Sequence, residues 1–245
     1  MRTQIIGTIE SCFREKFATP RQAAFVPEAP ARLRILPEFL PQHSLDGLAE
    51  FSHVWLLFPF HLNSPRDFGP KVHPPRLQGK TIGVFASRSP HRPTPIGLSL
   101  AKLVRIEGDT LHLQGVDLVS GTPIVDIKPY VPASDRPARC RAGWTGRIPA
   151  GRLKVVFAPS ALKDLERVVE PRIRSQVKAL ICRTLSYDPR NPRDRSQFKP
   201  GKELGFFFLY YDIHFKISGR RAEILWIQKA RENDRRRPPL KEALL

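Results

Sequence analysis

Short apolar and alternating stretches dominate the first 135 residues of the chain. Residues 51–60 are apolar almost throughout, whereas residues 110–116 alternate between apolar and polar side chains. Runs of this length, bounded by proline, glycine and polar clusters, are typical of β-strands. Because helical periodicity is nearly absent here, a β-barrel or sandwich is favoured. Residues 11–41 are predicted to be irregular, and strands are predicted over residues 3–10, 51–60, 81–86, 96–106, 110–116 and 123–130.

The pattern changes after residue 152. A second set of elements follows: a strand over 153–157, helices over 161–169 and 171–185, and hairpin strands over 205–217 and 222–228. No GxGxxG sequence follows a predicted strand, so a Rossmann nucleotide-binding domain is not supported. The predicted organisation is a mainly β barrel domain followed by a small α+β domain, with boundaries at residues 1–135 (barrel), 136–152 (linker), 153–233 (α+β domain) and 234–245 (flexible tail).

The composition is strongly basic and changes the expected partners. The chain carries 41 lysines and arginines against 23 aspartates and glutamates, which gives a formal net charge of +18. Such an excess indicates a polyanionic partner, and nucleic acid is favoured over an anionic membrane. A basic surface that has no such partner is the alternative.

The sequence lacks the features expected of a secreted, membrane or metal-binding protein. Three widely spaced cysteines without a CxxC pair argue against a disulfide framework, and His61 and His73 lack metal-ligand spacing, so no metal is expected. The polar N-terminus does not resemble a signal peptide, and no apolar run approaches the roughly 20 residues that span a bilayer. A soluble cytoplasmic protein is therefore expected.

The most distinctive stretch is SRSPHRPTPIGLS at residues 87–99. Three prolines within six residues hold the backbone in an extended form that suits neither a helix nor an interior strand. The stretch joins two predicted strands, so Arg88, His91 and Arg92 project from a stiff loop. Charged side chains on a loop that is held by a rigid scaffold are typical of recognition.

Together with the preceding IGVFA, this stretch resembles the signature of the TsaA-like family, whose bacterial members are called TrmO or YaeB. Two positions depart from the commonest family pattern. Thr94 stands where asparagine is frequent, and Ser120 stands where aspartate is frequent, which removes one negative charge near the presumed cofactor. Further pieces match in order: IGTI at 6–9, EKFATPRQ at 15–22, GLAEFSHVWLLF at 47–58, PPR at 74–76, DLVSGTPIVDIKPY at 117–130 and DPR at 188–190.

The resemblance covers nearly the whole chain and implies a methyltransferase that uses S-adenosylmethionine. The implied reaction transfers a methyl group to N6 of N6-threonylcarbamoyladenosine at position 37 of tRNA, beside the anticodon. A single non-Rossmann β-barrel and a homodimer are also implied. The alternatives are a non-catalytic tRNA-binding or regulatory protein that retains the cofactor pocket, and a methyltransferase with another substrate.

The matching motifs also imply the cofactor contacts. Arg88 is expected to pair with the methionine carboxylate or with a substrate oxyanion. Asp117 is expected to accept hydrogen bonds from amino or ribose hydroxyl groups, and Leu98 and Leu118 are expected to wall the adenine. The full set is Pro20, Arg21, Gln22, His61, Leu62, Arg88, Leu98, Asp117, Leu118, Val119, Ser120, Gly121 and Thr122.

Catalysis needs a further group if the attacking nitrogen must lose its proton to a base. Asp126 is the candidate, because a charge flanked by apolar residues is costly unless it is used or paired. The alternative for Asp126 is an ion pair with Lys128 or Arg92. Arg88 is the second candidate catalytic residue.

Basic side chains are expected to contact the tRNA, mainly through its phosphates. For His91 the alternative is that it only completes the loop. Phe206, Tyr210 and Tyr211 are possible partners for bases, although packing in the hairpin core is the favoured alternative. The predicted tRNA contacts are Arg76, Lys80, His91, Arg92, Arg190, Arg193 and Arg195.

Overall fold

A computed structural model describes residues 3–63, 69–74, 77, 79–146, 152–190 and 201–230. The strands in these ranges are β1 (Gly7–Ser11), β2 (Pro30–Ile35), β3 (His53–Pro59), β4 (Lys71–Val72), β5 (Ile82–Gly83), β6 (Ile96–Glu107), β7 (Thr110–Gln114), β8 (Pro123–Ile124), β9 (Asp126–Pro129), β10 (Lys154–Phe157), β11 (Glu203–Phe208), β12 (Tyr211–Ser218) and β13 (Arg221–Lys229). The α-helices are α1 (Pro41–Ser44), α2 (Pro132–Asp135), α3 (Pro159–Val168) and α4 (Pro171–Ser186).

Seven strands form a nearly closed barrel in the order β8-β1-β2-β7-β6-β3-β9. The strands at the two ends of this order, β8 and β9, are separated only by Val125, whose N–H donates to the Leu57 carbonyl at 2.9 Å. One continuous segment therefore bridges β1 and β3 and brings the sheet back onto itself. The interior is filled by side chains that are fully buried, among them Ile9, Leu33, Leu56, Leu111 and Ile124.

Strand β2 corrects the expectation that residues 11–41 are irregular. It lies between β1 and β7, and it buries Ala31, Leu33 and Ile35 against the barrel core. The alternation is short and lies in a segment rich in prolines, which obscured it in the sequence. Pro30 stands at the first position of the strand, where proline is tolerated because its missing N–H costs the ladder little.

The second sheet has the order β10-β13-β12-β11, and helices α3 and α4 pack against it. The sequence predicted one strand over residues 205–217, and that was wrong. A turn at Leu209, with φ of 53°, divides it into the antiparallel strands β11 and β12. The run FFFLYY contains none of the usual turn residues, and the Leu209 N–H instead donates to the Cys12 carbonyl at 2.9 Å. The mainly β barrel followed by an α+β unit is confirmed.

The connecting segment, residues 12–29 between β1 and β2, packs against the α+β unit. Phe13 is 2% exposed and shares a buried cluster with Phe208, with which it also forms an antiparallel bridge. Phe25 stacks on Tyr187 with ring centroids 4.2 Å apart and planes inclined by 8°. The division of the chain at residues 135 and 153 stays a prediction, and this shared core crosses it.

The described ranges contain neither a membrane-spanning helix nor a metal-binding cluster. None of their helices is long and apolar enough to cross a membrane. Their histidine, cysteine, aspartate and glutamate side chains form no group of three or more that could hold a metal ion.

Candidate active site

The proline-rich loop at residues 87–95 begins after a tight 3₁₀ turn, Val84–Ala86, and ends where β6 starts. The Ser87 hydroxyl donates to the Val84 carbonyl at 2.8 Å. The side-chain amide of Asn63, which follows β3, donates to the Pro90 carbonyl at 3.2 Å. The loop is therefore fixed both by its own hydroxyl group and by the neighbouring segment.

Arg88 and Gln22 form the central contact of the site. Nη1 of Arg88 donates to Oε1 of Gln22 at 2.7 Å, across 66 positions of sequence. The two residues come from separate motifs that were predicted to bind the same cofactor, and the fold brings those motifs together. Because the Arg88 side chain is exposed and carries five N–H donors, it keeps donors for a ligand.

Asp117 lies beside this pair. The Ser99 hydroxyl donates to Oδ1 of Asp117 at 2.5 Å, and the backbone N–H of Ala23 donates to the same carboxyl group. Burial raises the pKa of Asp117 above its ordinary value, although Ser99, the backbone donors and the charge of Arg88 oppose that rise. Ser99 and Ala23 were missed in the sequence, because neither residue type signals a role until its neighbours in space are known.

The loop of residues 117–122 is tied along β1. The Ser11 hydroxyl donates to the Leu118 carbonyl at 2.6 Å, and the Ser120 N–H donates to the Phe13 carbonyl at 2.7 Å. The Ser11 N–H donates to the Ser120 hydroxyl at 3.4 Å, so this hydroxyl helps to hold the loop against β1. Leu118 is 2% exposed and belongs to the barrel core, and its predicted contact with the adenine stays a prediction.

His61 and Leu62 follow β3 and meet the connecting segment at Lys16. The Lys16 ammonium group donates to the Leu62 carbonyl. Partial burial lowers the pKa of His61, and the nearby charge of Lys16 lowers it further, so the imidazole is neutral at neutral pH. Lys16 was missed in the sequence, because a lysine in EKFATPRQ shows no role until the end of β3 is located beside it.

Strand β3 lies between Leu98 and Asp126, which both pair with Leu57 and so share the outer face of the barrel with it. Leu98 is 50% exposed, as a residue that walls a ligand must be. Oδ2 of Asp126 forms an ion pair with Nζ of Lys128 at 2.9 Å, which is one of the two alternative pairings considered for it. The role of Asp126 as a base stays a prediction.

The predicted tRNA contacts of the first domain are only partly described. Lys80 and His91 lie exposed on the surface. Arg92 is partly buried, and its Nη1 donates to the Ser87 carbonyl at 3.3 Å, so it braces the loop. Three predicted contacts lie outside the described residues: Arg76, Arg193 and Arg195.

Arg190 is engaged within the protein. Its guanidinium group donates to both carboxylate oxygens of Asp188, at 2.9 and 3.0 Å, and its carbonyl accepts from Nη2 of Arg21 at 2.9 Å. Arg190 thereby links the α+β unit to the Pro20-Arg21-Gln22 motif. Among the aromatic candidates, Phe206 and Tyr211 are 1% and 4% exposed, as the hairpin-core alternative requires.

The groups that converge here fit S-adenosylmethionine. A guanidinium group with spare donors, Arg88, suits the cofactor carboxylate, and the Asp117 carboxylate suits ammonium or hydroxyl donors. Leu98 is half exposed on the outer face of β6, whereas its neighbour Ser99 contacts Asp117, so its predicted contact with the adenine stays a prediction. The nearly closed barrel and the convergence of these motifs define a TsaA-like β-barrel protein.

Comparison with known proteins names the family. Residues 8–136 match the family model of the tRNA-methyltransferase O N-terminal domain, and residues 150–230 match the TrmO C-terminal domain. The chain belongs to the TrmO family. It superimposes on a crystal structure of TrmO from Pseudomonas aeruginosa with a TM-score of 0.76 and 36% identity, over 93% of this chain and 98% of that one.

Relatives come from bacteria and mammals. The chain is 42% identical to a putative S-adenosylmethionine-dependent methyltransferase, RcsF, of Pseudomonas aeruginosa, over 86% of this chain and 90% of the relative. It is 35% identical to the tRNA (adenine(37)-N6)-methyltransferase of Escherichia coli, over 91% and 96%. The mouse tRNA (adenine(37)-N6)-methyltransferase is 52% identical over 55% of this chain, and the match spans only 32% of that longer protein.

Proposed function

We propose that this protein is an S-adenosylmethionine-dependent methyltransferase that acts on N6 of the adenosine at position 37 of tRNA. We propose that the nucleoside methylated at that position is N6-threonylcarbamoyladenosine. The observation that carries the proposal is the contact of Arg88 with Gln22 beside Asp117, which assembles three family motifs at one place on the barrel. Membership of the TrmO family and the names of relatives that match nearly the whole chain support it.

The residues of the site perform binding and orientation. S-adenosylmethionine supplies an electrophilic methyl group on a sulfonium centre. Arg88 holds the methionine carboxylate, Asp117 accepts from a hydroxyl or ammonium group, and Leu98 packs against the adenine. Fixing the methyl group in line with the attacking nitrogen supplies much of the acceleration in such a displacement.

The proton of the attacking nitrogen must leave when the new N–C bond forms and the methyl–sulfur bond breaks, with the electron pair of the broken bond left on sulfur. Delocalisation into the adjacent carbonyl of the threonylcarbamoyl group makes this proton more acidic than that of an amine, so a weak base suffices. Asp126 lies on the same outer face as Leu98 and is the proposed acceptor. Its carboxylate also forms an ion pair with Lys128, at 2.9 Å.

The direct test of the function is methyl transfer to defined tRNA. The purified protein is expected to transfer labelled methyl groups to tRNA that carries N6-threonylcarbamoyladenosine at position 37, and none to the same tRNA without that modification. The assay counts label in tRNA and identifies the product nucleoside by mass spectrometry. Cofactor binding without transfer to any tRNA pool favours instead a regulatory protein that retains the pocket.

We also propose a homodimer that forms through the outer face of β6, and a cytoplasmic location, where the tRNA substrate is found. Ile96, Leu98 and Val104 lie on that face and are 44%, 50% and 45% exposed, so they offer apolar surface to a second subunit. A second subunit on this face would lie next to the Arg88 site.

Replacing Val104 with glutamate is expected to shift the protein from dimer to monomer, because it places a charge in the proposed apolar interface. Sedimentation velocity measures the shift, and circular dichroism reports whether the fold is kept. Leu162→Glu, on the exposed side of α3, is the matched control and should leave the oligomeric state unchanged. An unchanged dimer in Val104→Glu contradicts this interface.

A further inference from the structure

Phe85 is 75% exposed, more than any other large apolar side chain in the described residues. It occupies the middle of the 3₁₀ turn Val84–Ala86, directly before the proline-rich loop. Its neighbour Val84 is 1% exposed and anchors the turn. The sequence pattern predicted a strand over residues 81–86, but the strand β5 ends at Gly83 and the 3₁₀ turn follows it. This exposed ring therefore lies directly beside the loop that carries Arg88.

The turn holds this ring in a fixed position. The Val84 N–H donates to the Pro70 carbonyl at 3.0 Å, and the Ser87 N–H returns to the Val84 carbonyl at 3.1 Å. On the other side, Nε1 of Trp144 donates to the Ala86 carbonyl at 2.9 Å. Bonds on both sides therefore fix the backbone around Phe85, so its ring is presented outward before any ligand arrives.

The chain segments around the ring are basic and contain no acidic residue. Residues 68–106 and 136–163 include no aspartate or glutamate. Lys71 lies on β4 opposite Gly83, and Arg88 follows the ring by three positions. The segment that Trp144 fastens to the turn carries Arg139 and Arg141, both exposed. An exposed aromatic ring among cations is the usual arrangement for binding single-stranded nucleic acid.

We propose that Phe85 stacks on an unpaired nucleobase of the tRNA anticodon loop and thereby positions the nucleotide to be methylated. This inference rests on the proposed function, because it takes the substrate from it. Position 37 lies in a single-stranded loop, where bases can be splayed out and stacked on aromatic side chains. RNA is favoured over a second copy of the chain, because a protein of net charge +18 offers few carboxylates to so basic a surface.

The test compares Phe85→Leu with Phe85→Trp. Leucine keeps apolar volume but removes the π face, so the dissociation constant and KM for tRNA should rise roughly tenfold. Tryptophan should restore both to within about threefold, since stacking tolerates a larger ring. Calorimetry with S-adenosylmethionine should give the same affinity in both variants, because the ring lies outside the cofactor contacts. Phe51→Leu is the control, because Phe51 is also an exposed phenylalanine but lies before the start of β3, whereas the site lies after its end.

The outcomes are separable. Binding of modified tRNA, measured by filter retention, does not depend on turnover, so it tests Phe85 even if wild-type protein transfers no methyl group. An unchanged tRNA affinity in Phe85→Leu overturns the inference. A loss of dimer in sedimentation, with tRNA affinity per monomer unchanged, also overturns it and assigns the ring to a contact between subunits. Failure of wild-type methyl transfer with a Phe85-dependent tRNA affinity rejects only the proposed reaction.

Discussion

Replacing Arg88 with alanine is expected to weaken the binding of S-adenosylmethionine by about 10- to 100-fold, since a hydrogen bond to a charged group contributes roughly 1.5–3 kcal/mol. The substitution removes the cation proposed for the methionine carboxylate. It also removes the donor at 2.7 Å from Oε1 of Gln22, which helps to hold the connecting segment in place. Isothermal calorimetry measures the affinity, and methyl transfer at saturating tRNA measures the rate.

Arg105→Ala is the matched control for this variant. Arg105 lies near the far end of β6 in an exposed ion pair with Glu107 at 2.6 Å, and pairs of that kind contribute little to stability. Arg105→Ala should therefore bind the cofactor as the wild type does. Equal cofactor affinity in wild type and Arg88→Ala would remove the assignment of Arg88 to the carboxylate.

Replacing Asp117 with asparagine is expected to stabilise the fold at neutral pH while it weakens cofactor binding about tenfold or more. Burial raises the pKa of the Asp117 carboxyl group, so keeping it ionised lowers the stability of the folded protein at neutral pH. Asparagine has nearly the same shape and no charge to desolvate. Each 1 kcal/mol gained should raise Tm by roughly 2–4 °C for a chain of this size.

The stability gained by Asp117→Asn is expected to depend on pH. Because the pKa of Asp117 is higher in the folded than in the unfolded chain, the folded state binds more protons between the two values. The stability of the wild type therefore falls as pH rises from the ordinary aspartate pKa through the raised one. The Tm advantage of Asp117→Asn should thus be small near pH 4 and full at pH 7.5.

Thermal unfolding from pH 4 to pH 8 measures this difference, with Asp109→Asn as the control. Asp109 is an exposed carboxylate beside Arg34, so its replacement should leave no advantage that grows with pH. A Tm difference for Asp117→Asn that is constant across the range would show that desolvation of the carboxylate is not the cause. Unchanged cofactor affinity would separate Asp117 from the ligand.

The connecting segment explains why the α+β unit matters to a site on the barrel. Gln22 and Ala23, which contact Arg88 and Asp117, lie on a segment whose buried side chains belong to the core of that unit. Arg190 fixes Arg21 from the same side through its carbonyl. The second unit therefore supports the position of the cofactor motif as well as offering basic surface.

Local patterns in the sequence were sufficient for most of the secondary structure. Alternation predicted β7, a continuous apolar run predicted β3, and helical spacing predicted α4, because side-chain periodicity is a property of a few consecutive residues. The prolines of residues 87–95 predicted a stiff loop for the same reason. Motif resemblance placed Arg88, Gln22 and Asp117 in one site.

Only the tertiary structure decided which groups meet. Gln22 and Arg88 are 66 positions apart, and Arg21 and the Arg190 carbonyl are 169 apart, so no local rule links them. The turn at Leu209 likewise has no turn residue of its own and forms against Cys12. Such contacts depend on the closure of the barrel and on the core that residues 12–29 share with the α+β unit. Contacts between residues so far apart in the chain produce no periodic pattern of apolar residues, so the sequence does not reveal them.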